Sequence, residues 1–293
     1  MRTALLVACL CLATPASAQF RALAVPITYS QNYDPSLSPD GKRMVFLKAL
    51  EGRETLFIAN SDGTAEKQLL HTNADIEDPA WSPDGRLIAY VRIEGSKKSL
   101  HVMGIDGSGD RRVTPPNQSP IHPAWTPDSK GLLYCTDDDL DPPRKNAAEI
   151  YRLDLASGRI STVLSGGVNT YPVSSPDGRR IAFRKFLDNN SEVYVMDSDG
   201  KNVRNLTDHP AFDGWPEWSP DGKRIAFASN RNSAYQVFVM NADGTGVKLV
   251  ANTEGRATAP KWSPDGKMIY FTNCWQTGLA SACEIFVATA PAT

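Results

Sequence analysis

Imidazole is the side chain best suited to ligate a transition metal or exchange a proton near neutral pH, and the sequence holds four: His71, His101, His122 and His209. They are scattered, and no H-x-H or H-E-x-x-H pairing places two of them on one element. His101 sits within the apolar run Leu100 to Met103 and reads as a packed strand residue. The densest acidic run, Asp137-Asp138-Asp139-Leu140-Asp141, offers oxygen ligands of the kind calcium takes. It lacks the spacing and glycine of an EF-hand, so it reads as a solvated charged loop that Pro142-Pro143-Arg144-Lys145 extends. Six further Asp residues recur in Ser/Thr-Pro-Asp turns, and such regular repetition argues for bonds to neighbouring backbone amides instead of catalysis. No G-x-S-x-G elbow, Walker loop or dinucleotide fingerprint occurs. No catalytic residue, metal site or cofactor is therefore assigned; a calcium or transition-metal ion is the weaker alternative.

The elements that position these groups follow from the rest of the chain. Arg2, the apolar run Ala4 to Ala13, and Ala16-Ser17-Ala18 have the order of a secretory signal peptide cleaved before Gln19, which predicts export to the periplasm or the exterior. The expected organisation is residues 1–18 as signal and 19–293 as one domain. The apolar run is too short to span a membrane, and no later stretch qualifies. With export to an oxidising compartment a disulfide between Cys274 and Cys283 is expected, and Cys135, within Gly131-Leu132-Leu133-Tyr134-Cys135, reads as a buried small hydrophobe. Of 293 residues, 31 are basic and 33 acidic, a net charge of −2 that argues against nucleic acid as a partner. A monomer is expected.

Self-similarity decides the architecture. Ser38-Pro39-Asp40-Gly41 recurs at Ser82, Thr126, Ser175, Ser219 and Ser263, with prolines 44, 44, 49, 44 and 44 residues apart. Each unit opens on Pro-x-Trp or a variant and continues through the Asp-Gly turn into an apolar run such as Arg224 to Ala228. A second run, a second turn and a short closing strand follow, making four strands. Bulky residues alternate with Ala, so both sheet faces are apolar and both must be covered. Four-stranded units of this length do so by stacking around an axis, which predicts an all-β, six-bladed β-propeller of antiparallel blades. The sixth unit ends after three strands at Glu284 to Ala288, while Phe20 to Tyr29 has no blade of its own. The N-terminal segment is expected to supply the missing strand.

Strand order assigns the Asp-Gly turns to one face of the ring. The other face receives the blade-to-blade connections and six segments read as long loops: 49–54, 94–98, 137–148, 186–191, 229–234 and 273–282. There, residues just ahead of each first strand are expected to line the mouth of the axial channel. Asp34, Glu77, Asp78, His122, Tyr171 and Trp215 are the predicted partner-binding residues, an acidic and aromatic mixture suited to a partner carrying Lys or Arg.

The W-S-P-D-G unit, its K/R-x-I-A-F run and second D-G turn resemble the repeat of the TolB-like β-propeller family across essentially the whole mature chain. The resemblance implies a periplasmic or secreted role in binding a protein, as in the Tol-Pal envelope system, where the propeller binds a peptidoglycan-associated lipoprotein. The α/β domain that precedes the propeller in that system has no counterpart in Gln19 to Leu37, and the residues after Gly266 are too few for the hydrolase domain of related peptidases. The expected function is a non-catalytic scaffold binding a protein or envelope polymer through the long-loop face. The alternative is a metal-dependent, lyase-like carbohydrate-active enzyme using channel-mouth histidines, as oligogalacturonate lyases of this fold do.

Overall fold

The computed structural model describes residues 24–27, 31–137, 147–277 and 280–292. The signal segment and most of the Asp137–Asp141 run lie outside them. Six four-stranded antiparallel sheets form the blades of a propeller. Their innermost strands are Asn32–Leu37, Asp75–Trp81, Pro120–Trp125, Val168–Ser174, Asp213–Trp218 and Arg256–Trp262.

The first turn of each blade is built from its own sequence. In blade five, Ser219 Oγ donates to Asp221 Oδ1 at 2.6 Å and accepts from the Arg224 amide at 2.9 Å, while Asp221 Oδ1 accepts from the Lys223 amide at 3.1 Å. The Ser or Thr to Asp bond recurs at 2.6 Å in the other five turns. The repeated Asp residues are thus consumed by turn formation. Each is held below the ordinary carboxylate range, chiefly by the hydroxyl it accepts from.

Packing between blades follows the alternation of bulky and small residues. Ala226, Val237 and Val239 of blade five meet Trp262, Ile269 and Phe271 of blade six. Ile225 and Phe227, on the opposite face of blade five, meet Ala182, Val193 and Val195 of blade four. Three of the four Pro-x-Trp tryptophans also lie under a guanidinium of the preceding blade: Trp81 under Arg43, Trp218 under Arg180 and Trp262 under Arg224, at 5.1, 4.6 and 4.5 Å.

The ring closes as the unpaired N-terminal segment requires. Val25–Pro26 is the outer strand of the sixth blade, pairing Val25 with Val287 and Pro26 with Phe286, and the Ile27 amide donates to Ile285 O at 2.9 Å. Ile27 then packs with Met44, Phe46, Phe57, Ala59 and Ile285, joining the last blade to the first. Cys274 and Cys283 are paired in register across the second and third strands of blade six and are disulfide-bonded.

The long-loop reading needs correction. Five of the six segments are hairpins whose strands continue past the apolar core. Ala49 pairs with Glu54, Glu94 with Lys97, Phe186 with Ser191, Asn232 with Ala234, and Trp275 with Ala282. Left-handed residues at the tips, Glu51 and Gly52 or Asp188 and Asn189, let two-residue turns follow the sheet twist. Polar tip residues obscured these strands, because periodicity fades where both faces are wet. The remaining segment, 137–148, falls largely on residues 138–146, outside those described.

Candidate functional site

All six inner strands carry the same irregularity. Between Tyr33 and Ser36 the pairing with the second strand shifts, so that Asp34 and Pro35 stand opposite Phe46 alone. Equivalent shifts occur at Asp78-Pro79, His122-Pro123, Tyr171-Pro172, Trp215-Pro216 and Ala259-Pro260. Proline cannot donate to the ladder, so a bulge is where a strand tolerates it. Each residue preceding the proline has φ between +50° and +53°, a left-handed conformation that costs a non-glycine residue on the order of 1–3 kcal/mol. The residue opposite is always a fully buried aromatic: Phe46, Tyr90, Tyr134, Phe183, Phe227 or Phe271. Packing of that ring supports the bulge, and the bulge turns six side chains toward the axis.

These side chains bound a channel cavity of about 530 Å³. The predicted mouth residues therefore lie within the first strands, not ahead of them. Asp34, Asp78, His122, Tyr171 and Trp215 line the cavity, whereas Glu77 does not; it pairs with Lys98 at 3.4 Å, and Lys98 reaches Asp137 at 2.9 Å. A second ring of channel residues, at the x of Pro-x-Trp, includes Glu217 and Lys261, which form an ion pair at 2.8 Å. Alternation along the strand from the pre-proline residue was the signal for that ring.

The channel lining has two halves. Blades one and two contribute carboxylates. Burial and the nearby charge of Asp78 push Asp34 up to about 7, and burial also raises Asp78 although it accepts the His122 amide at 2.9 Å. Glu54 and Glu77 are raised too, chiefly by burial. Burial opposes the charge on Lys261, but Glu217, Asp34 and Asp78 outweigh it and the ammonium titrates above its ordinary value. Buried like charges resist ionising together, and an incoming cation relieves that penalty.

Blades three to five contribute aromatics. His122 stacks on Tyr171 with ring centres 3.6 Å apart, Tyr171 meets Trp215 at 5.3 Å, and Trp215 meets Tyr235 edge-on at 5.6 Å. Burial, followed by the Arg184 charge, lowers His122 well below the ordinary histidine range, so its ring is neutral at pH 7. Its Nδ1 lies 3.3 Å from Cys135 Sγ, and burial raises the thiol far above its ordinary value, leaving a neutral, packed pair.

The histidines do not assemble. His71 is exposed. His209 uses Nδ1 to accept from the Ala211 amide at 3.0 Å, and His101 is buried 3.0 Å from Asp110. Among the described residues no group of three or more His, Cys, Asp or Glu side chains is arranged to hold a metal ion. Among them too, no helix is long and apolar enough to cross a membrane.

Comparison with known proteins agrees with this architecture. A protein described as a TolB from Agrobacterium tumefaciens superposes with a TM-score of 0.68 at 24% identity, over 90% of this chain and 91% of the other. TolB from Acinetobacter baumannii gives 0.70 at 23% identity, over 86% of this chain and 65% of its own. Oligogalacturonate lyase from Vibrio parahaemolyticus shares the fold at 0.61 and 14% identity, over 94% and 95% of the two chains. No curated protein matches the sequence. Residues 17–141 and 86–286 match the TolB beta propeller domain, and the chain belongs to that family.

Proposed function

We propose that this protein is an exported, non-catalytic scaffold, periplasmic or secreted once residues 1–18 are removed, that binds a protein partner or envelope polymer at the hairpin-bearing face of its channel. The observation that carries this is the ring of six strained pre-proline residues, built alike in every blade yet occupied by acidic, imidazole, aromatic and small side chains. A repeated backbone device with varied chemistry is the pattern of a recognition surface on a rigid frame. Asp34, Asp78, His122, Tyr171 and Trp215 are the proposed contacts, with Glu77 beside them on the rim. The carboxylates suit a Lys or Arg side chain entering the channel, and the aromatics supply the anchoring area that interface hot spots use. Family membership and the order of charged, apolar and small residues at the N-terminus support the location.

The test uses the mature chain as bait in envelope extract, beside the single variants Asp78→Asn, Tyr171→Ala and Trp215→Ala, each first checked for an unchanged unfolding cooperativity. Loss of one anchor is expected to weaken capture by at least about tenfold, the usual cost at a hot spot. Full retention by all three would show that the partner binds elsewhere. Stoichiometric transition metal in the purified protein, lost on His122→Ala, would contradict the non-catalytic reading.

A further inference from the structure

The aromatic half of the mouth carries two guanidinium groups that the proposed function leaves unused. Arg184 Nε donates to Thr170 Oγ1 at 2.9 Å, and its Cζ lies 4.8 Å from the centre of the Tyr171 ring and 5.7 Å from that of Trp215. The side chain crosses Gly214, where a Cβ would stand 2.8 Å from Arg184 Cδ, so the absence of a side chain there makes room for it. Arg256 lies 5.7 Å from the same Trp215 ring and 4.8 Å from Tyr235. Trp215 thus lies near two cations, and among the described residues neither forms an ion pair with a carboxylate. With Nε satisfied and the stem fixed, the terminal nitrogens of Arg184 form a preorganised fork, the geometry that takes a carboxylate through two parallel hydrogen bonds.

We propose that the Arg184 fork, with the Arg256 charge near the same Trp215 ring, forms a carboxylate-binding site that takes an acidic side chain from an amphipathic segment of a protein partner. The proposal rests on the reading of this face as the recognition surface and names the chemistry of one half of it. Two features favour a protein over a polysaccharide. His122 stacks on Tyr171 and Arg184 lies 4.8 Å from the centre of the same ring, so Tyr171 offers a sugar ring little open face. Apolar side chains also flank the site: Phe186, Leu187 and Phe212 are 38%, 52% and 38% exposed. Phe186 pairs in register with Ser191, whose hydroxyl donates to Asp213 O at 2.6 Å, bringing the blade-four hairpin beside Phe212. A segment alternating acidic and apolar residues meets both surfaces, and the carboxylates of the opposite half disfavour an acid there.

Calorimetric titration of the mature protein with a blocked hexapeptide alternating leucine and glutamate tests this, with the leucine–glutamine, leucine–lysine and polygalacturonate counterparts as further probes. The glutamate peptide is expected to bind at least about tenfold more tightly than the glutamine peptide, the scale of a charge-assisted bidentate pair. Arg184→Gln is expected to abolish that difference, Arg184→Lys to restore part of it, and Arg111→Gln, on a distant outer strand, to leave it unchanged. Equal binding of glutamate and glutamine peptides, indifference to Arg184→Gln, or binding of polygalacturonate without the peptide would overturn the proposal. If the lysine peptide binds and loses affinity in Asp78→Asn while the glutamate peptide fails, the recognition face stands and this inference falls. If no peptide binds and the envelope pull-down is unaffected by the mouth variants, both fall.

Discussion

Asp34 shows how a single residue couples the channel to pH. Its folded-state pKa, about 7, lies well above that of an exposed aspartate because burial and Asp78 both disfavour its charge. A carboxyl group with a raised folded pKa holds a proton that the unfolded chain has released between pH 4 and 7, so stability falls as pH rises through that window and levels off above it. Chemical denaturation at pH 5 and pH 7.5 is expected to show the native protein more stable at pH 5, by an amount on the order of 1–3 kcal/mol from this group. Asp34→Asn is expected to flatten that slope and to raise stability at pH 7.5; an unchanged slope would remove Asp34 as its source. The same titration acts on binding with the opposite benefit: a basic partner finds Asp34 charged only above about pH 7, so its affinity is expected to weaken on acidification. The sequence exposed the five channel residues because each precedes a proline at a constant place in the repeat. It concealed Arg184 and Arg256, which belong to the second strand of blade four and the start of the inner strand of blade six and reach the mouth only through tertiary packing.

Within each blade, the turn chemistry was legible residue by residue, since Ser-Pro-Asp-Gly specifies its own hydrogen bonds. Strand ends were not legible. Hairpin tips such as Leu187 to Asn190 are wet on both sides, and pairing there is carried by backbone bonds that leave no hydrophobic period. The bulges were half legible: a proline in every inner strand marked the place, but the left-handed residue before it depends on the aromatic packed opposite. The closing strand is the element with the largest consequence for its size. Val25–Pro26 contributes few backbone bonds, yet Ile27 beyond it seals the seam between blades six and one. Removing residues 20–29 from the mature protein is expected to lower the thermal midpoint by roughly 5–10 °C or more, because the seam opens at Met44, Phe46 and Ile285 together. Ile27→Ala is expected to cost about 1–3 kcal/mol by itself, scaled to a half-buried side chain. A truncated protein with an unaltered midpoint would mean that ring closure does not depend on this segment.

At the scale of the whole molecule, the six-fold frame is strict and its decoration is not. Serine-proline-aspartate turns tile one face almost identically, while the other face varies around the ring: acids on blades one and two, stacked aromatics and guanidinium groups from blades three to six. An asymmetric mouth on a symmetric ring orients whatever binds there, since a segment that is basic at one end and acidic at the other fits in one direction. Site-specific photo-cross-linking in the cell separates the two faces directly, with the photoreactive residue introduced in place of Leu50 or Leu187 on the hairpin face and Asp84 or Asp265 on the turn face. A discrete adduct is expected from the first pair and none from the second. Adducts from the turn positions alone would place recognition on the opposite side of the ring and contradict it.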